Sequence, residues 1–200
     1  MKIVTYLENG NEQLGFVIDN LVFPSHIISN QLPNSSLALL QLGQEGLDMA
    51  KKELQEFKKI EDFQNQGNSF SEITLLAPVP NPTSFRDAYA FRQHVETSRL
   101  NRGLEMIPEF DQFPVFYFSN HQAIQGPGPV YCMPKHFEKM DFELEVAIVI
   151  HKKGRNIKAA EADQYIAGFM ILNDLSARNL QMQEMKLNLG PAKGKDFSTV

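Results

Sequence analysis

Short apolar runs alternate with turn-forming residues over the first part of the chain. The segments KIVTYL (2–7), LGFVI (14–18) and LVF (21–23) predict three short β-strands. Asn9-Gly10 and Asp19-Asn20 lie between these segments, and residues of these types tolerate the positive φ angles of tight hairpin turns. The pattern therefore predicts a β-rich opening to the chain.

The spacing of apolar residues becomes helical between Ser35 and about Ile60. The residues that carry this period are Leu39, Leu40, Leu47, Ala50, Leu54 and Phe57. Lysine and glutamate side chains stand between them and are most simply a solvated face. Because glycine weakens a helix, Gly43 and Gly46 predict a division of this region into two helices.

A proline-rich segment separates this region from the rest of the chain. The sequence APVPNP at 77–82 holds three prolines in six residues. Proline removes a backbone donor and fixes φ, so the segment predicts a stiff extended connector. We expect a small β-rich N-terminal domain with a helix over residues 1–76, a linker over 77–82 and a larger domain over 83–200.

The larger region contains four further element candidates. Residues 113–118 and 142–150 are apolar enough to predict strands, and 159–164 predict a helix. Residues 165–172 predict another apolar strand or buried segment. No internal repeat accompanies them.

The segment DFELEVAIVI at 141–150 places charges where a strand is normally apolar. Because side chains alternate across a strand, its three carboxylates share one face and its apolar residues share the other. The carboxylates are Asp141, Glu143 and Glu145. Residues 147–150 look buried on both faces. Three like charges on a half-buried strand need compensation, either from solvent at an edge or from a bound divalent cation.

Two further segments offer carboxylates to such a cation. Asp174 follows an apolar run, where it is either a ligand or the N-cap of a following helix. Asp87 precedes His94 by seven residues, so the two would share a face if residues 84–94 formed a helix. They could then serve as a metal ligand and a general base. The alternative is a solvated surface helix.

Five blocks in this order resemble the fumarylacetoacetate hydrolase family. They are RDAYAFRQHV (86–95), PVFYFSN (114–120), DFELEVA (141–147), NDLSARNLQ (173–181) and KGKDF (193–197). The resemblance is to the longer, fumarylacetoacetase-type members with an N-terminal domain. It implies an α+β, mostly β fold: a mixed β-sheet roll with flanking helices, preceded by a small β-rich domain. It also implies a homodimer.

The resemblance implies a role for each matching residue. Asp87, Glu143, Glu145 and Asp174 would bind Mg²⁺ or Ca²⁺, with Mn²⁺ as a further option. His94 would activate the attacking water, and Lys195 would support the leaving carbanion or the oxyanion. The implied substrate contacts are Tyr89, Tyr117, Arg178 and Gln181, and Arg178 and Gln181 would also take part in catalysis.

The reaction implied by the family is hydrolysis of a carbon–carbon bond in a β-diketo acid, as in aromatic amino acid catabolism. The alternatives are isomerisation, decarboxylation or dehydration of a 2-oxo acid on the same metal site, or an inactive metal-binding fragment. The substrate would be a small anionic diketo or oxo acid. The lone cysteine, Cys132, has no obvious base partner and is more simply structural.

Composition excludes several other classes. The chain has 19 Lys and Arg against 24 Asp and Glu, a net charge of −5, which argues against nucleic acid as partner. One cysteine cannot form an internal disulfide, and no signal peptide or membrane span is visible, so we expect a cytoplasmic protein.

The resemblance also implies that family members continue past Lys195 with strands that close the roll. We therefore expect a truncated chain with poor stability and little activity.

Overall fold

The computed structural model describes all residues from Met1 to Val200. Strands β1 (Lys2–Glu8), β2 (Asn11–Ile18) and β3 (Leu21–Pro24) form an antiparallel meander. The turns between them have positive φ at Asn9-Gly10 and at Asp19-Asn20. The three predicted strands and their two turns are confirmed.

Two very short strands complete this first sheet. They are β4 (Asn68–Ser69), which pairs with β3, and β5 (Thr74–Leu75), which pairs with β1. The strand order is β4-β3-β2-β1-β5, with all neighbours antiparallel.

Three helices follow β3 and pack against this sheet. They are α1 (Ser25–Ile28), α2 (Ser36–Gln41) and α3 (Gly43–Phe57). The Ser35 hydroxyl caps α2 by accepting the Ala38 amide. Gly43, with φ +65°, begins α3 and confirms the predicted division, whereas Gly46 lies inside that helix.

The apolar core lies between this sheet and its helices. Its 11 buried residues are Leu14, Phe16, Ile18, Phe23, Ile28, Leu32, Leu39, Ala50, Leu54, Phe57 and Phe63. Three of its phenylalanine rings contact one another with centroids 5.4–5.7 Å apart. Offset and edge-on contacts of this kind add to the apolar burial. All members of this cluster precede residue 64, so the remaining two thirds of the chain are organised differently.

The later elements form two further antiparallel pairs with flanking helices. The strands are β6 (Arg86–Asp87), β7 (Tyr117–Phe118), β8 (Met140–Ile150) and β9 (Ile166–Ala177), where β6 pairs with β7 and β8 with β9. The helices are α4 (Arg92–Leu100), α5 (Pro134–Phe137) and α6 (Arg178–Lys186). Short 3₁₀-helices occupy Phe63–Gln66, Phe70–Glu72, Pro108–Asp111 and Ala159–Tyr165.

Three predictions about these elements need correction. Only Tyr117 and Phe118 of the predicted strand 113–118 enter a ladder, and Pro114 near its start has no amide hydrogen to contribute. Residues 84–94 do not form one helix, because β6 pairs with β7 and α4 begins only at Arg92. Ala159–Tyr165 is a 3₁₀-helix rather than an α-helix.

The β8–β9 hairpin turns its apolar face outward. Phe142, Leu144 and Val146 are 60–70% exposed, and Ile148 and Ile150 are more than half exposed. The expectation that residues 147–150 are buried on both faces is therefore wrong for these isoleucines, since no element of the chain packs over that face. The carboxylates of Glu143 and Glu145 lie on the opposite, partly buried face.

The structure as a whole is a mixed α/β arrangement with antiparallel sheets. The division into two domains at residues 77–82 stays a prediction. None of the helices combines the length and the apolar content that a bilayer crossing requires.

Candidate metal centre

The register of the β8–β9 hairpin assembles the first part of an acidic cluster. Glu143 stands opposite Asp174, and Glu145 stands opposite Leu172. Directly opposed residues share a face, as do residues two apart on one strand. Glu143, Glu145 and Asp174 therefore point to the same side. Asp174 lies inside β9, and the N-cap of α6 is Ala177, so the alternative of Asp174 as a helix cap is wrong.

Asp87 reaches this cluster from the separate β6–β7 pair. Oxygen atoms of Asp87, Glu145 and Asp174 all lie within 4.8 Å of one another. Asp87 and Asp174 are buried, and Glu145 is partly buried. Pairing of Asp87 with Tyr117 in the ladder positions Asp87, and the shared helix face predicted for Asp87 and His94 does not form.

Tyr117 links two of these carboxylates. Its hydroxyl lies 2.9 Å from Asp87 Oδ2 and 3.1 Å from Asp174 Oδ2, each a hydrogen-bond contact in which the hydroxyl donates. A tyrosine hydroxyl has one hydrogen, so it donates to one of the two at a time. Burial, with the nearby charges of Asp174 and Asp87, raises the pKa of Tyr117, so the phenol stays protonated. The structure places Tyr117 against the acidic residues themselves.

Two cations also contact the acidic residues. The buried ammonium of Lys195 donates to Asp174 Oδ2 and, at 3.0 Å, to Glu143 Oε2. Arg178 donates to Glu143 Oε1 at 2.8 Å and to Asp141 Oδ2 at 2.9 Å. Glu143 is thus paired with both cations, while Asp87 and Glu145 form no ion pair.

The carboxyl groups titrate according to these partners. Burial alone would raise the pKa of Glu143, but the charges of Lys195 and Arg178 hold it below its ordinary value. Burial, together with the charges of Asp87, Asp174 and Glu143, raises the pKa of Glu145 to about 8. Burial also raises the pKa of Asp174 to about 6, although Lys195 opposes the shift.

The donor set fits a divalent cation. Three carboxylates converge with too little positive charge to neutralise them, and Asp174 Oδ1 is buried without a hydrogen-bond partner. Mg²⁺, Ca²⁺ and Mn²⁺ prefer such hard oxygen ligands. The arrangement of Asp87, Glu145 and Asp174 can therefore hold a metal ion, whereas Glu143 faces the two cations in this structure.

Other residues predicted for the site lie less centrally. His94 is exposed on α4 and outside the converging group. Tyr89 is 48% exposed and stacks on Phe110 at 6.1 Å between ring centroids. Gln181 on α6 accepts a hydrogen bond from Arg178 at 3.0 Å. The structure thus joins Gln181 to Arg178, and it leaves His94 exposed and Tyr89 about half exposed.

Thr199 and Val200 belong to no motif of the sequence, yet they adjoin the cluster. Thr199 is buried and forms β-bridges with Asp174 and with Ile124. The amide of Val200 donates to the carbonyl of Asn173 at 3.1 Å. These backbone contacts support β9 at the position of Asp174, and no side-chain pattern in the sequence marks them.

Comparison with known proteins identifies the class to which this fold and site belong. Residues 83–200 match the family model described as fumarylacetoacetate (FAA) hydrolase C-terminal. That match covers more than half of the chain. The protein therefore belongs to the fumarylacetoacetate hydrolase family, as its motifs indicate.

Two relatives illustrate the extent of the similarity. The chain is 26% identical over 202 residues to the fumarylacetoacetate hydrolase domain-containing protein 2 homolog of Dictyostelium discoideum, covering 100% of this chain and 61% of that protein. It is 31% identical over 140 residues to a mitochondrial oxaloacetate tautomerase of Xenopus laevis, covering 70% of this chain and 42% of that protein.

Solved structures share the fold. A fumarylacetoacetate hydrolase from Exiguobacterium antarcticum has a TM-score of 0.66 at 20% identity, over 99% of this chain and 62% of the other. Maleylpyruvate hydrolase from Sphingobium sp. SYK-6, solved with manganese(II) and pyruvate, has a TM-score of 0.59 at 19% identity, over 89% of this chain and 60% of the other. The chain spans less than two thirds of each of these four proteins.

Proposed function

We propose that the protein is a metal-dependent enzyme that hydrolyses a carbon–carbon bond in a β-diketo acid of the fumarylacetoacetate or acylpyruvate type. The observation that carries this proposal is the convergence of Asp87, Glu145 and Asp174 beside the ammonium of Lys195. A substrate with a carboxylate and two carbonyl oxygens suits a site that offers both a cation and carboxylate ligands for a metal ion.

The three converging carboxylates would hold the divalent cation, with Mg²⁺, Ca²⁺ and Mn²⁺ all suited to oxygen ligands. When bound, such a cation polarises a carbonyl oxygen of the substrate as a Lewis acid. The manganese(II) and pyruvate in the Sphingobium maleylpyruvate hydrolase support this choice of metal class and substrate class.

The chain's own cations would act on the substrate's negative charge. Nζ of Lys195 is a fixed donor in a buried setting, where it can stabilise an oxygen that gains charge as the bond breaks. The guanidinium of Arg178 adjoins the same face and can attract a substrate carboxylate. His94 would accept a proton from the attacking water in the hydrolytic reaction. Tyr89 and Gln181 stay predicted substrate contacts.

A second candidate is keto–enol tautomerisation of a 2-oxo dicarboxylic acid. Two observations favour it: the Xenopus relative is an oxaloacetate tautomerase, and His94 is exposed rather than hydrogen-bonded in the cluster. Tautomerisation moves a proton between carbon and oxygen of one molecule and needs no attacking water. It therefore makes no demand on His94 as a water-activating base.

One set of assays separates these reactions. The purified protein would be given fumarylacetoacetate, acylpyruvates, fumarylpyruvate and enol-oxaloacetate, each with Mg²⁺, with Mn²⁺ and with EDTA. His94→Asn should abolish hydrolysis and leave tautomerisation intact, because only hydrolysis needs the base. His26→Asn, at an exposed histidine on α1, is the matched control. Turnover that persists in EDTA, or no turnover of any of these substrates, would overturn the proposal.

A further inference from the structure

The loop that carries Lys195 is held by a carboxylate from the preceding helix. Glu184, in the last turn of α6, accepts hydrogen bonds from three consecutive backbone amides. The Ala192 amide lies 3.1 Å and the Gly194 amide 3.2 Å from its Oε2, and the Lys193 amide donates to its Oε1. Consecutive amides that converge in this way form a cradle for an anion, and a charged acceptor strengthens each bond.

This position is a poor one for a glutamate if helix stability alone mattered. The C-terminus of a helix carries partial negative charge, which disfavours an acidic side chain there. Glu184 also forms no ion pair with a lysine or arginine. Its three partners are all amides of the loop, so its contacts point to a function in the loop rather than in the helix.

Gly194 allows the same loop to lie directly against α6. A Cβ atom at this position would lie 2.7 Å from the backbone nitrogen of Gln181 and 2.9 Å from its Cα. The carbonyl of Gly194 accepts the Ala177 amide at 2.8 Å, which ties the loop to the end of β9. The backbone just before Lys195 is therefore fixed by Glu184, by Gln181 and by Ala177 together.

We infer that Glu184 is a positioning residue that sets the place of the Lys195 ammonium beside Asp174 and Glu143. It acts through the backbone of residues 192–194 and touches no predicted metal ligand itself. The consequence for turnover rests on the proposed function, in which Lys195 stabilises developing negative charge. The effect of Glu184 on the position of Lys195 does not depend on the proposed function.

Glu184→Gln tests the inference, since it keeps the size of the side chain and removes its charge. Amide hydrogen exchange at residues 192–194 should become faster by about tenfold, the factor that corresponds to losing one net hydrogen bond. Affinity for Mn²⁺, measured by calorimetry, should rise by a few-fold, because a Lys195 ammonium that moves away no longer competes for Asp174. Glu161→Gln, an exposed glutamate on a 3₁₀-helix, is the control and should change neither value.

Lys195→Met supplies the second half of a double-mutant cycle. It should raise Mn²⁺ affinity more than Glu184→Gln does, and adding Glu184→Gln to it should then cause little further change. Gly194→Ala, which displaces the loop from Gln181, should reproduce the effects of Glu184→Gln. It replaces Glu184→Gln in the test if Glu184→Gln fails to fold. Glu184→Gln that lowers Mn²⁺ affinity, or effects that add in full, would overturn the inference.

Turnover gives a separate readout. If one of the proposed substrates is converted, Glu184→Gln should lower kcat by about tenfold with little change in KM, because the loss falls on the transition state. If no substrate is converted but exchange and Mn²⁺ affinity respond as expected, the proposed function fails and the positioning role stands. The reverse pattern, turnover with unchanged exchange and affinity, removes the positioning role alone.

Discussion

The first sheet and the β8–β9 hairpin bury opposite kinds of side chain. In the first sheet, Phe16 and Phe23 are fully buried among apolar neighbours. In the hairpin, Phe142 and Ile171 face solvent, while Asp174 is almost fully buried among charged groups. The same alternation of side chains along a strand thus serves an apolar core in one region and an ionic cluster in the other.

Different interactions organise the two regions. Apolar burial is non-directional and scales with area, so the first sheet needs residues of about the right size and pattern. A buried charge needs a specific partner at a specific distance. Lys195 and Arg178 supply those partners for Asp174 and Glu143. The hairpin region is therefore more sensitive to charge than to volume.

The largest effect is expected in the apolar core of the first sheet. Phe16→Ala should lower the free energy of unfolding by about 3–5 kcal/mol, since it removes a fully buried ring from the core. Ile171→Ala, at a side chain 75% exposed on β9, should change it by less than about 0.5 kcal/mol. Urea unfolding followed by circular dichroism measures both. Equal losses of unfolding free energy would mean that the apolar side chains of the hairpin are buried like those of the first sheet, which contradicts the comparison.

The next largest effect is expected in the acidic cluster beside the β8–β9 hairpin. Asp174→Asn should weaken Mn²⁺ binding by more than about 100-fold, which exceeds the usual cost of altering a residue that only supports a ligand. The reason is that Asp174 offers a buried, unpartnered oxygen to the cluster. Calorimetric titration measures the change, with Asp163→Asn at an exposed position as the control. Unchanged affinity would show that the cluster is not a metal site.

A further effect should appear in the pH dependence of stability in EDTA. The folded protein keeps the Glu145 proton up to a pKa of about 8, whereas the unfolded chain releases it near 4.5. This contribution to stability is complete below pH 4.5 and is lost as the pH rises through 8. Urea unfolding at several pH values should show the decline, and Glu145→Gln should make it shallower, with the part due to Asp174 remaining below about pH 6. A control, Glu61→Gln at an exposed position, should keep the decline; a flat wild-type profile contradicts the assignment.

The smallest effect concerns Tyr117. Tyr117→Phe removes the hydroxyl that contacts Asp87 and Asp174 and should weaken Mn²⁺ binding by about tenfold, the lower end for residues that support ligands. Tyr131→Phe, at a tyrosine 84% exposed, is the matched control. If Tyr117→Phe altered only KM, with metal affinity preserved, the hydroxyl would act on substrate alone, as the family resemblance implied.

Much of the fold follows from local sequence signals. The turn residues Asn9-Gly10 and Asp19-Asn20 predict the first hairpins because their backbone preference decides the turn. Gly43 marks a helix start for a similar local reason. The spacing of Asp87 and His94 misled because pairing of β6 with β7, a contact between distant segments, overrides the helical period.

Sequence motifs identify the acidic residues of the site, but they do not show which of the carboxylates pair with a cation. Alternation along β8 places Glu143 and Glu145 on one face, which the structure confirms. The sequence does not reveal that Lys195 and Arg178 pair with Glu143 and leave Glu145 without a cation. The position of Lys195 depends on the path of the loop after α6, where Glu184 binds three amides. No local pattern encodes such a contact.

The separation of Tyr117 from its partners also bears on the order in which the chain folds. The hydroxyl contacts of Tyr117 join residues 30 and 57 positions apart, whereas β1, β2 and β3 are joined by turns of two residues. Closing long loops costs more entropy than forming adjacent hairpins, so distant contacts form later. The meander can thus assemble before the acidic residues meet. In refolding from urea, the Mn²⁺ site should become competent only after the β1–β3 meander has formed.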